Sequence, residues 1–129
     1  MNPVDPASSL LDDFSLEMTG KDVPALAEAQ GLLPAGTRIN VTFLGNEDLP
    51  MRLAAASAVK AGGHVPVPHI SARRLGSAAE LEKFLGALSE AGAVENVFVV
   101  AGDPAEPMGP YEDSLAVIAS GLPAAHGAR

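Results

Sequence analysis

Four side chains able to do chemistry stand at matching places in this sequence. Glu17, Thr42 and His69 each occur at or near the end of a short apolar run, and Asp103 follows directly after a fourth run, Val97-Phe98-Val99-Val100. A carboxylic acid, a hydroxyl, an imidazole and a second carboxylate on one rim could exchange protons and hydrogen-bond a polar ligand. Each residue also has a plainer reading. Glu17 could face solvent from an edge, and Thr42 is a good strand former. His69, beside Pro68, could be a satisfied core histidine, and Asp103, between Gly102 and Pro104, could form a turn. The joint pattern carries more than any one member.

Other residues bound the chemistry further. Gly102 suits either close approach of a ligand or a turn of positive φ. No GxGxxG and no GxxxxGK followed by Ser or Thr occurs, so a phosphate loop is excluded. The Arg73-Arg74 pair has the fork geometry for a phosphate, but reads more simply as a solvated loop. Glu47-Asp48 reads as helix-start chemistry. The three histidines (His64, His69 and His126) lack metal-motif spacing. His64 and His69 are an odd number of residues apart, which on a strand sends them to opposite faces. With no cysteine there is no disulfide framework, thiolate nucleophile or Cys-ligated metal.

A chain of 129 residues fits one domain, and 47% hydrophobic content supplies an aliphatic core with only four Phe, one Tyr and no Trp. The net charge of −8 argues against nucleic acid or an anionic membrane surface as partner. The start, MNPVDPASSLLDDF, lacks a basic segment followed by a long apolar run, so it is no secretory signal. No apolar stretch approaches the ~18–20 residues that span a bilayer. The expected compartment is the cytoplasm.

The elements that must position the candidates repeat one theme four times. The run 14–18 leads to Asp22, which can cap a helix, with Pro24 in its first turn. The run 38–44 leads through Gly45-Asn46 to a helix from about Pro50 that stops at Gly62-Gly63. The run 64–70 carries two prolines, each removing a ladder donor. It precedes Ser77-Ala78-Ala79-Glu80, a capping-box pattern, and the stripe Leu81, Phe84, Leu85, Leu88. The run 94–100 is apolar enough to be buried on both faces, and a last helix is expected from about Tyr111 to Ser120. Residues 1–13 read as a flexible N-terminal segment, 14–121 as the folded unit and 122–129 as a frayed tail. Alternation of strand and helix in units of about 25–30 residues implies an α/β fold with parallel strands, either an open doubly wound sheet or part of a (β/α)₈ barrel.

Several stretches together resemble the N-terminal half of the methylenetetrahydrofolate reductase family. They are Phe14-Ser-Leu-Glu17, Ile39-Asn-Val-Thr-Phe-Leu-Gly45, Pro68-His-Ile70, Val99-Val-Ala-Gly-Asp-Pro104 and Tyr111-Glu-Asp-Ser-Leu115. Their order and spacing match across roughly 14–121. The resemblance implies half of a TIM-type barrel that binds FAD. It implies reduction of 5,10-methylenetetrahydrofolate to 5-methyltetrahydrofolate with NAD(P)H, a step of one-carbon metabolism that supplies methionine biosynthesis. On this likeness Glu17 is the general acid that protonates the folate nitrogen, a role that asks for a partly apolar site. Thr42, Phe43 and His69 line the flavin, and the turn Ala101, Gly102, Asp103 runs along its edge. Asp103 also touches the folate, while Tyr111 and Glu112 hold the rest of the FAD.

Three departures accompany the likeness. Ala101 stands where many family members have an arginine, and Met18-Thr19-Gly20 replaces a proline-rich turn; both point to a divergent branch. A complete barrel needs about 250 residues, and the family's later strands supply the adenine side of the FAD site, a folate-contacting glutamine and closure of the barrel. The expectation is therefore a fragment or one half of a split barrel, inactive alone, that forms a homo-oligomer or pairs with a complementary half. Two other readings stand beside it: a non-catalytic α/β module without cofactor, and a different folate or one-carbon enzyme on the same barrel.

Overall fold

Four of the apolar runs become parallel strands. In the computed structural model, which describes residues 10–129, these are β1 (Ser15–Met18), β2 (Arg38–Val41), β3 (Val65–Ser71) and β4 (Phe98–Val100), in the spatial order β1-β2-β3-β4. Helices α1 (Val23–Ala29), α2 (Leu49–Ala61) and α3 (Ala78–Glu90) join them, and α4 (Ser114–Ala119) and α5 (Leu122–Ala125) follow β4. The chain is thus α/β with a four-stranded parallel sheet. Of the N-terminal segment 1–13, residues 1–9 lie outside the described residues. Among the described residues no helix is long and apolar enough to cross a membrane.

Strand order and burial agree on where the helices lie. Sequential parallel strands joined by crossovers of one hand place their helices on one face, and no reversal of order occurs here to send any to the other. Ile39, Val41, Pro66, Pro68 and Ile70 are buried, while the alternating set Arg38, Asn40, Val67, His69 and Phe98 stays partly or fully exposed. Glu17, Asn40 and Val67 are register partners across β1, β2 and β3, so Glu17 shares this open face. The prolines of β3 cost the ladder little. Val65 N–H donates to Thr37 O, so the odd-numbered donors of β3 face β2. The donors that Pro66 and Pro68 lack face the β4 side, where pairing begins only at His69.

The core lies between the covered face and the helices. Leu81, Phe84, Leu85 and Leu88 of α3 are all buried and pack with Phe43, Ile70, Tyr111 and Val117. A second cluster joins Met18, Ile39 and Val41 to Leu26, Ala55 and Val59. Phe43 meets Phe84 edge-on at 5.7 Å. Ser77 caps α3 by accepting from Glu80 N–H at 3.0 Å, and Glu80 Oε2 reaches back to Gly76 N–H at 2.8 Å, one residue beyond the usual box. Asp48 caps α2 by accepting from Met51 N–H.

Several local expectations need correction. β4 starts at Phe98, not Val94: Val94 is buried in the core and the exposed Glu95-Asn96 pair breaks the run. α4 starts at Ser114 because Asp113 accepts from Ala116 N–H, which leaves Tyr111 ahead of the helix. Asp22 does stand at the N-cap of α1, but its carboxylate turns back to accept from Thr19 N–H and Oγ1–H. Residues 122–129 begin with α5 and fold back, Arg129 N–H donating to Glu95 O and its guanidinium lying 3.3 Å from the Glu95 carboxylate.

Candidate functional site

At the carboxyl ends of the strands, Glu17, Thr42, His69 and Asp103 line one cavity of about 150 Å³ together with Phe43, Ser71, Arg74 and Gly102. The backbone explains the convergence. Thr42 N–H donates to Met18 O at 3.0 Å, so β2 keeps in step with β1 one residue past its end. Strand alternation then directs Thr42 to the open face with Asn40, and Phe43 to the helices. His69 and Ser71 leave β3 on that same open face. After β4 the chain turns at Gly102, whose φ of +101° an L side chain rarely adopts. That turn is held from below, because Arg73 N–H donates to Ala101 O at 2.8 Å.

The imidazole sits in a defined state. Burial pushes the His69 pKa down, and the Glu17 carboxylate opposes part of that shift. Asn40 Nδ2 donates to Leu16 O, which leaves Asn40 Oδ1 as an acceptor 3.1 Å from His69 Nε2. A neutral ring therefore carries its proton on Nε2 and keeps Nδ1 as acceptor. The Phe98 ring flanks it at 5.0 Å, tilted by 55°. Glu17 itself is exposed, without the apolar surround its proposed acid role asks for. Asp103 is exposed too, with Arg74 at 3.4 Å.

Two polar atoms on the cavity wall stand out. Thr42 Oγ1 and Ser71 Oγ are both buried and have no hydrogen-bond partner among the described residues. Buried hydroxyls in native proteins are nearly always satisfied, by protein or by ordered water. A site built to bind a polar molecule is one place where they are not.

Not every candidate reaches this rim. Ala101 contributes its carbonyl to Arg73 and does not line the cavity. Tyr111 is buried in the core. Glu112 is exposed, and its carbonyl accepts from Arg73 Nε–H. Two pairs behave differently from expectation. Arg73 is no solvated loop residue: its guanidinium also donates to Pro104 O and Ala105 O and so straps the loop after β4. Glu47 is not helix-start chemistry like Asp48. It is buried, and its Oε1 accepts from Gly20 N–H, tying the β1–α1 loop to the β2–α2 loop.

A larger cavity of about 370 Å³ adjoins the first through Phe43 and Arg74, at the starts of α2 and α3. Its buried charges, Glu47 and Arg52, answer one another only in part, because Glu47 Oε2 and Arg52 Nε have no hydrogen-bond partner among the described residues. Arg52 stacks on Phe43 at 3.5 Å and donates to Leu44 O and Glu47 O, while Glu47 counters the fall in the Arg52 pKa that burial causes. The smaller cavity, which gathers the strand-end side chains Glu17, Thr42, His69 and Asp103, is the better candidate. The sequence reading missed Ser71 and Asn40, and took Arg74, which lines the cavity beside Asp103, for a solvated loop residue. Ser71 had a usable signal, lying two residues beyond His69 and so on its face. Among the described residues no group of three His, Asp or Glu side chains is placed to hold a metal ion. No protein-family model matches the chain.

Proposed function

We propose that this chain is the flavin- and folate-site half of a (β/α)₈ barrel, working in the NAD(P)H-dependent reduction of 5,10-methylenetetrahydrofolate to 5-methyltetrahydrofolate. The observation that carries the proposal is the meeting of Glu17, Thr42, His69 and Asp103 around one cavity at the carboxyl end of a parallel sheet, where barrel enzymes keep their sites. Sequential strand order with one open face supports a barrel over a doubly wound sheet. The face left open among the described residues, with the edges at β1 and β4, is where the remaining strands, from a complementary half or a second copy, would seat.

The residues present fit a flavin. The unpartnered hydroxyls of Thr42 and Ser71 suit the carbonyl and ring-nitrogen groups of its edge, and Gly102 offers backbone without a Cβ. Thr42, Phe43, His69, Gly102 and Asp103 would hold it. Bound FAD would supply the two-electron transfer from nicotinamide to folate. Glu17 would donate the proton to the folate nitrogen; closure of the open face would provide the drier surround that this acid needs. His69 Nδ1 would accept a hydrogen bond. Asp103 would bind the folate, with Arg74 as the nearby cation where the family's arginine is replaced by Ala101.

One observation favours the plainer alternative, a non-catalytic α/β module. At about 150 Å³ the cavity is smaller than the roughly 300–1,000 Å³ of most small-molecule sites. Titrating the purified protein with FAD, followed by flavin absorbance and fluorescence, separates the two. Binding is expected; a folded sample that leaves FAD unchanged at high concentration gives the module. Where FAD binds and a second copy or a complementary half closes the open face, Glu17→Gln should abolish methylenetetrahydrofolate-dependent reoxidation of reduced flavin. An unchanged rate would remove Glu17 as the acid.

A further inference from the structure

We infer that Ser71 is a ligand-binding residue of the rim cavity, its hydroxyl hydrogen-bonding the polar edge of a planar ring lodged at the ends of β3 and β4; the inference rests on the flavin proposal. Ser71 is the last residue of β3 and pairs with Val100. It is only 2% exposed, and among the described residues its buried Oγ has no partner. Taking a hydroxyl out of water without a hydrogen bond is unfavourable, and no contact among the described residues needs this one. Alanine would fill nearly the same space.

The surroundings show what the hydroxyl faces. A Cβ on Gly102 would collide with Ser71 Oγ, so only glycine lets the turn after β4 pack this closely on the hydroxyl at the cavity wall. Beside His69 on the neighbouring strand stands Thr42, the next register position after Val41–Pro68, with a second hydroxyl of the same cavity that has no partner among the described residues. A hydroxyl can rotate to donate or to accept. Two of them near one imidazole therefore match a heteroaromatic edge that alternates carbonyl oxygens and ring nitrogens, and they match an aliphatic ligand poorly.

The test is Ser71→Ala in the purified protein, with Ser71→Cys as a near-isosteric variant that hydrogen-bonds weakly. Two readouts are taken: the melting temperature without ligand, and FAD affinity by fluorescence titration. Both variants are expected to melt at or above the wild-type temperature, because an unsatisfied hydroxyl has gone. FAD binding should weaken roughly 2- to 12-fold, the equivalent of one hydrogen bond. A lower melting temperature or loss of folding would make the hydroxyl structural and overturn the inference. Equal FAD affinity in variants and wild type removes the inference and leaves the flavin proposal standing. Failure of the wild type to bind FAD removes both.

Discussion

His69 ties protonation to folding. Burial holds its pKa below the usual ~6.5, so the folded protein binds this proton less readily than the unfolded chain does. Stability from the neutral ring is complete above the unfolded value and is lost as pH falls from about 6.5 through the lowered folded pKa. Melting temperature should therefore drop on mild acidification, before the carboxylates titrate, and His69→Gln should flatten that early drop. A wild-type profile that is level from pH 7 to pH 5 would contradict the burial of the ring. Glu17 makes a contrasting case. Its side chain is exposed and takes no part in a hydrogen bond or ion pair among the described residues, so Glu17→Gln should change stability by no more than about 0.5 kcal/mol. Any loss of turnover in that variant then reports on chemistry rather than on folding. Thermal melts beside the reoxidation assay check both halves of the statement.

At the scale of elements, the loop after β4 depends on one side chain. The Arg73 guanidinium donates to Glu112 O at 2.8 Å, Pro104 O at 3.2 Å and Ala105 O at 3.3 Å, and Arg73 O accepts from Met108 N–H. Hydrogen bonds to a charged donor are worth about 1.5–3 kcal/mol each at most sites, less for exposed partners such as these. Arg73→Ala is expected to cost about 1–3 kcal/mol and to speed proteolytic nicking between 104 and 112. Arg73→Lys should not rescue it, because an ammonium lacks the planar fork. Normal protease resistance in the alanine variant would show that the loop is held by its packing instead. This strap also marks the limit of what the sequence discloses. The stripe Leu81, Phe84, Leu85, Leu88 and its Ser77 cap were legible because helical period and capping act within a few residues. The alternation around Glu17, Thr42 and His69 was legible because a strand end and side-chain parity are local properties. Arg73 and Glu47 were not. Their roles come from partners 39 and 27 residues away, respectively. Such pairings exist only once parallel strands have brought distant loops to one end of the sheet.

For the molecule as a whole, the sheet face left uncovered among the described residues is the main unresolved energy. Parallel sheets almost always have both faces covered, whereas here the helices shield one. The other presents Phe98, 52% exposed, beside the partly exposed Val65 and Val67, with Glu17, Asn40 and His69 interspersed. Apolar groups alone would suit a plain core, and polar groups alone would suit solvent. The mixture suits a face that other strands cover around a bound ligand, as in the proposed barrel. A net charge of −8 works against simple collapse of two copies, so any such cover must gain from apolar burial and strand pairing rather than from charge. Phe98→Asp separates folding from assembly. Because Phe98 is half in solvent already, its loss should lower the stability of the isolated chain by about 1 kcal/mol or less. Assembly should respond far more, since a buried carboxylate without a partner is strongly disfavoured in a newly covered face. In sedimentation equilibrium the wild type is expected above the mass of one chain, as a dimer or with a complementary half, and the variant at that mass. A wild type that sediments as a single chain, indistinguishable from the variant at every concentration and with any complementary half supplied, would mean that this face meets only water.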